Sequence, residues 1–237
     1  MTRILAIPLS YILNGLYNIF DNYGLTIIVF TVIIRLIILP LYNMQMKSTE
    51  QMQLIQPQLK ELQTKYADDR EKMNEKMQEL YADHKINPAM GCLPLLIQLP
   101  IIWALFAVLR DPMEYITNTD MVLAVHESFL WIKDLSQPDL WALPIIAGVA
   151  TFVSMKISTS MTSTTGANSS ANTSMKAMQY FMPVMIVWMG RSLPAGLCIY
   201  WIMSYIFQII QTKVRMMSRA RKAKAAEKET KEKKKAK

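Results

Sequence analysis

Ile27-Ile-Val-Phe-Thr-Val-Ile-Ile-Arg-Leu-Ile-Ile-Leu-Pro-Leu41 is the stretch that decides the fold. Taken with its neighbours as 24–42, it matches the roughly 20 apolar residues an α-helix needs to cross a bilayer. Its one charge is Arg35. A cation at the centre of a membrane helix costs roughly 2.5–3.5 kcal/mol on insertion scales, so such a residue marks a functional site by default. Arg35 lies roughly seven residues, or about 10 Å of helix, from the C-terminal end of the run.

The rest of the chain supports a membrane reading. Of 237 residues, 52% are hydrophobic, and the mean hydropathy is +0.17, high for a soluble domain of this size. The net charge of +8 is concentrated at one end. Residues 213–237 hold twelve Lys/Arg and three Glu, so this tail carries +9 and the remainder −1. Cys92 and Cys198 lie in apolar segments and read as small hydrophobes. His84 and His126 have no carboxylate or cysteine at metal-ligand spacing. Neither a Gly-rich phosphate loop nor a hydrolase motif is present. The expectation is therefore no metal, no cofactor and no bond-making chemistry. The N-terminus, with Arg3 and a short apolar stretch but no small-residue cleavage site or lipobox-like cysteine, is not expected to be a cleaved signal.

Residues 1–23 carry Leu5, Leu9, Ile12, Leu16 and Phe20 at helical spacing with few charges, which predicts an amphipathic helix lying in the membrane interface. Five hydrophobic segments follow, at about 24–42, 90–109, 139–156, 177–193 and 195–212. The last two, separated by Ser192-Leu-Pro-Ala-Gly196, read as a tight transmembrane hairpin. Pro94, Pro100, Pro144 and Pro183 fall within spans, where neighbouring groups can satisfy the freed carbonyls. Five spans place the termini on opposite sides, and the basic tail assigns N-out/C-in by the positive-inside rule. Loop 43–89, with seven Lys/Arg, then lies in the cytoplasm, and the acidic loop 110–138 lies outside. Arg191 is the one outside cation that goes against the rule. Within 43–89, Leu59, Leu62, Tyr66, Met73, Met77 and Leu80 form a seam that predicts a helical hairpin turning near Ala67-Asp-Asp-Arg70. Pro57 interrupts its first helix or starts a new one. Segment 157–176 is of low complexity. The domain expectation is thus 1–23 interfacial helix, 24–42 first span, 43–89 hairpin, 90–212 spans two to five, and 213–237 basic tail.

Arg35 has no internal acid on the other spans to neutralise it; Asp139 sits only at an edge. Polar companions are Gln98 in the second span, Ser154 in the third, and Ser204, Gln208 and Gln211 on one face of the fifth. Helix-to-helix hydrogen bonding would account for them; so would a hydrated groove that they wall together with Arg35, with Tyr200 and Trp201 beside it. Nineteen methionines, including Met52, Met73 and Met77 in the hairpin, serve as core filler or as an adaptable surface for varied apolar sequences. The tail attracts anionic lipid or ribosomal RNA through charge alone, since no aromatics interleave it.

Taken in order, these motifs resemble the YidC/Oxa/Alb family of membrane protein insertases. The features are Arg35 followed by Leu39-Pro-Leu41, the charged hairpin, Gly91-Cys-Leu-Pro-Leu-Leu-Ile-Gln-Leu-Pro-Ile101, Phe181-Met-Pro183, Leu193-Pro-Ala-Gly-Leu197, and Tyr200-Trp201 with Ser204 and Gln211. The match covers about 15–212, and a short N-terminus points to a Gram-positive-type bacterial member. The resemblance implies an all-α polytopic plasma-membrane protein with five transmembrane helices. It also implies a hydrophilic groove open to cytoplasm and lipid and sealed outside, in which Arg35 corresponds to the groove arginine and Gln98 and Trp201 lie near it. Phe152-Val-Ser-Met155 departs from relatives that carry Gln there. The implied partners are nascent membrane proteins and lipid, with the ribosome and the Sec translocon as further candidates. A small anion transporter or channel built on Arg35 is the alternative, and an assembly chaperone without insertion is a third reading.

Overall fold

The computed structural model describes residues 2–87, 93–110, 112–115, 119–162 and 170–235. Among these the regular structure is helical, joined by turns and irregular segments, with one isolated antiparallel bridge between Phe129 and Ile132. The helices are α1 (Thr2–Phe20), α2 (Tyr23–Leu54), α3 (Gln56–Lys65), α4 (Arg70–Asp83), α5 (Leu93–Arg110), α6 (Pro112–Tyr115), α7 (Thr119–Ala124), α8 (Ala142–Thr162), α9 (Ser170–Gly190) and α10 (Ala195–Lys235). The five hydrophobic segments of the sequence fall on five separate helices: α2, α5, α8, α9 and α10. By length and composition, Tyr23–Leu54 and Ala195–Arg221 are able to cross a membrane, and Gln98–Leu109 and Ala142–Ser158 are shorter apolar helices.

Local chemistry sets the element boundaries. Asn22, extended at φ −155°, starts α2 by accepting the Leu25 amide on its side chain at 2.9 Å. α2 then runs without a break to Leu54, so no change of secondary structure marks residue 42. It stops at Ile55 because Pro57 lacks an N–H, and the same proline opens α3, where that N–H is not needed. α3 and α4 pack on each other around a turn at 66–69, and Asp69 caps α4 by accepting the Lys72 amide at 3.0 Å. α10 passes from its apolar half into the basic tail as one helix. Segment 163–169 and Cys92 lie outside the described residues.

Two cores result. The larger joins α1, α2, α5, α8, α9 and α10 through Leu13, Tyr23, Ile27, Phe30, Leu105, Leu109, Ala147, Ile186 and Tyr200. The smaller holds the hairpin together through Ile55, Leu59 and Ile86, with Met52, Met77, Leu80 and Tyr81 packed around them. α1 buries Ala6, Leu9, Leu13 and Tyr17 against α2 and α5. That face is rotated from the stripe expected from hydropathy, and Ile4, Ile7, Tyr11 and Ile19 are left exposed.

The end of the bundle at the α1–α2 junction is covered by residues 125–137. The Glu127 carboxylate accepts from the Tyr17 hydroxyl, and at 2.8 Å from the Tyr23 amide. The amides of Ala195 and Gly196 donate to Gln137 and Leu135 carbonyls at 2.9 and 3.0 Å. The Phe129 ring lies directly over Gly24. His126, read as isolated in the sequence, is in fact paired: its Nδ1 lies 3.1 Å from Asp134 Oδ2 and 3.0 Å from the Ser136 hydroxyl.

Candidate functional site

Arg35 lies within α2, one residue beyond buried Ile34, where three helices meet. Its Nη2 donates to Gln98 Oε1 on α5 at 3.2 Å, and Gln98 Nε2 donates to the Tyr200 hydroxyl on α10 at 2.8 Å. A polar chain of three side chains therefore ties α2, α5 and α10 together across the apolar core. The arginine's partner is a neutral amide. Its other titratable neighbours are the tyrosines Tyr42, Tyr200 and Tyr205, and no ion pair involves it among the described residues. A guanidinium has five donors, and the one neutral acceptor among the described residues leaves most of them for another oxygen-rich group.

The other expected residues distribute around this chain. Tyr200, Trp201 and Ser204 are buried on α10, with Ser204 one helical turn beyond Tyr200. Ser154 is buried on α8, as is Thr151 one turn earlier, and Thr151 neighbours Tyr205. Gln208 is half-buried, and its carbonyl accepts from Thr212. Thr212 in turn meets the Tyr42 hydroxyl at 2.8 Å. Met52 and Met77 pack into the hairpin core, whereas Met73 is half-buried outside that cluster. Tyr42, Thr151 and Tyr205 escaped the sequence reading because hydroxyl-bearing residues in spans are common and give no periodic signal.

Below this chain, toward the hairpin, is a charged cluster. Arg215 Nε donates to Glu50 Oε1 at 2.8 Å, Arg219 Nη2 lies 3.0 Å from Glu50 Oε2, and Arg215 Nη1 reaches Asn43 Oδ1 at 3.1 Å. It fastens the extension of α2 to that of α10. Among the described residues no group of three or more His, Cys, Asp or Glu is placed to hold a metal ion.

A family model for the 60Kd inner membrane protein matches residues 15–223. The membrane protein insertase YidC of Fusobacterium nucleatum is 37% identical over 204 residues, covering 86% of this chain and 90% of that protein. The membrane protein insertase YidC 2 of Listeria innocua is 39% identical over 217 residues, covering 89% of this chain and 70% of the relative. The chain belongs to the YidC insertase family. The crystal structure of an active YidC insertase with its first transmembrane domain resolved is 31% identical, with a TM-score of 0.66. It covers 88% of this chain, which spans 45% of the solved YidC chain.

Proposed function

We propose that this chain inserts nascent membrane proteins by offering their polar flanks a cationic, hydrogen-bonding groove between α2, α5 and α10. The chain is a membrane protein insertase of the bacterial plasma membrane, by its family; its substrates are nascent membrane proteins and it works in lipid. How it does so is our reading. α2, α5, α8, α9 and α10 are its five spans, N-out and C-in. α1 lies along the outer boundary, and α3–α4 is a cytoplasmic hairpin. The covered α1–α2 end is then the outer seal, and the groove opens inward and toward lipid.

The observation that carries this is Arg35 with Gln98 as its one hydrogen-bond partner among the described residues and tyrosines as its titratable neighbours there. The arrangement keeps a full positive charge at mid-membrane with donors to spare. An acidic or polar segment entering from the cytoplasm meets those donors instead of bare hydrocarbon, which lowers the barrier to crossing the inner leaflet. Gln98, Ser154, Tyr200, Trp201, Ser204 and Gln208 wall the path. Met52, Met73 and Met77 give the hairpin a pliant surface that receives dissimilar apolar sequences. Sideways release into lipid is driven by the substrate's own apolar surface, with no covalent step. The basic end of α10 is the docking arm for the ribosome, and the Sec translocon is a further partner.

The test is insertion of a substrate with an acidic translocated tail into proteoliposomes, comparing the parent chain with Arg35→Lys and Arg35→Ala. Protease protection of the tail is expected to survive Arg35→Lys in part and to fall at least tenfold with Arg35→Ala. Equal protection in all three sinks the role of the charge.

A further inference from the structure

Arg191, the outside cation that runs against the charge rule, has a particular setting. Its guanidinium carbon stands 4.3 Å from the centroid of the Trp141 ring. That is cation–π distance, a contact made through the ring face that does not consume the guanidinium's N–H donors. No carboxylate pairs with it among the described residues. Trp141 is itself fixed. Asp139 accepts the Trp141 and Ala142 amides at 2.9 and 3.0 Å and the Trp131 indole N–H at 2.9 Å. One carboxylate therefore anchors both tryptophans, and its own charge is committed to that work.

The surroundings are apolar and exposed. Leu130 (75% exposed), Trp131 (54%), Leu140 (56%) and Trp141 (61%) project from the bundle. Leu130 is held out by a left-handed backbone at φ 54°, a conformation a branched side chain rarely adopts. From Trp141 the exposed surface continues down α8 through Ile145, Val149 and Val153 at four-residue steps. Beside it, α9 presents Val184 and Trp188, the latter three residues before Arg191. The patch is thus continuous with helix faces too apolar for water. Tryptophan at such a boundary belongs at headgroup depth.

We propose that Arg191 and Trp141 form a binding site for the headgroup of an anionic phospholipid of the outer leaflet, with Leu130, Trp131 and Leu140 seated among the glycerol and upper acyl groups. The phosphate oxygens take the in-plane guanidinium donors, a fork geometry that arginine matches better than lysine. A headgroup without a compensating ammonium supplies the missing countercharge, which accounts for a cation in a loop that the charge rule would leave neutral. The site rests on the proposed topology, which puts the α9–α10 link outside.

The experiment is native mass spectrometry of the full chain extracted from vesicles of phosphatidylglycerol and phosphatidylcholine, with Arg191→Ala, Arg191→Lys and Trp141→Leu compared with the parent. Membrane-impermeant thiol labelling of Ser192→Cys from each side, against the parent's own cysteines, accompanies it. Retained phosphatidylglycerol is expected to weaken about tenfold in Arg191→Ala, the usual worth of one charge-assisted contact. The loss should be intermediate in the other two, with phosphatidylcholine little changed. Outside labelling with unchanged lipid retention in Arg191→Ala overturns the site alone. Labelling from the cytoplasmic side overturns the topology and the site together. A change in oligomeric size without a change in bound lipid assigns the patch to protein contact and also overturns the proposal.

Discussion

Gly24→Ala gives a test whose sign, not only its size, depends on the packing described above. In a helix the added methyl should stabilise by about 0.8–1 kcal/mol, the ordinary advantage of alanine over glycine. Here a Cβ on Gly24 would stand 2.2 Å from both Cγ and Cδ2 of Phe129 and 2.8 Å from Cδ1. Those atoms are the root of the ring, so no rotamer change at a flexible tip relieves the contact. The Phe129 backbone is held by reciprocal hydrogen bonds with Ile132, both 2.9 Å. Relief therefore requires the whole ring to swing out of its packed rotamer about χ1 or the covering loop to move by on the order of 1 Å, and overpacking of this kind costs about 1–3 kcal/mol. Taking the upper part of that range, Gly24→Ala should destabilise by about 2 kcal/mol net. In a Phe129→Ala background the obstacle is gone, and the same substitution should stabilise by about 1 kcal/mol. The coupling between the two positions is then about 3 kcal/mol, at the top of what contacting residues show. Unfolding midpoints of the four proteins in one detergent, by heat or by denaturing-detergent titration, measure it. A higher midpoint for Gly24→Ala in the parent background would refute the close approach of loop and helix.

Glu50→Ala should loosen the C-terminal stretches of α2 and α10 from each other by about 2–3 kcal/mol, most of it from the well-covered bond to Arg215 and little from the more exposed Arg219. Glu50→Gln, which keeps an acceptor, should cost less; amide exchange over 43–54 reports both, and no change in exchange argues against the clasp. At Asp134, burial raises the pKa, but hydrogen bonds from Ser136 and His126 outweigh it and hold the carboxyl below its ordinary value. A depressed folded pKa means stability that is present above the unfolded value of about 4 and lost as pH falls through the lower folded value. The thermal midpoint of the parent should therefore exceed that of Asp134→Asn at pH 6, with the gap closing on acidification; a gap constant with pH would refute the assignment. Deleting 213–237 should weaken ribosome co-sedimentation and flatten its salt dependence; binding with an unchanged salt slope would assign the tail to lipid.

What could be read in the sequence was what depends on near neighbours in the chain. Apolar length located the helices, Pro57 marked the restart of α3, and Asp69 marked the turn before α4. The orientation of α1 was not legible. The apolar residues of α1 run round more than one face, and only shape decides that Leu13 and Tyr17 turn inward while Tyr11 and Ile19 do not. The hydrogen-bonded chain at the site was legible in its members and not in its pairing. Arg35, Gln98 and Tyr200 are drawn together across separations of 63 and 102 residues, and nothing in their local sequence encodes which amide or hydroxyl meets which. The same holds for Glu127, which joins Tyr17 and Tyr23 from 110 and 104 residues away. His126 shows the converse error: its partner Asp134 is only eight residues on, but the turn that brings them together is set by the Phe129–Ile132 bridge and the strained Leu130.

The uninterrupted course of α10 has a mechanical consequence. From Tyr200 to Lys235 the helix is a single rod of about 50 Å at 1.5 Å per residue. It is gripped part-way by Glu50, which holds Arg215 and Arg219. That grip is a fulcrum, with an arm of about 20 Å toward Tyr200 and about 30 Å toward the basic end. A load taken at the far end is passed along the helix toward Tyr200, and so to Gln98 and Arg35, with no intervening loop to absorb it. A large partner holding the tail would thus pull directly on the helix that carries Tyr200.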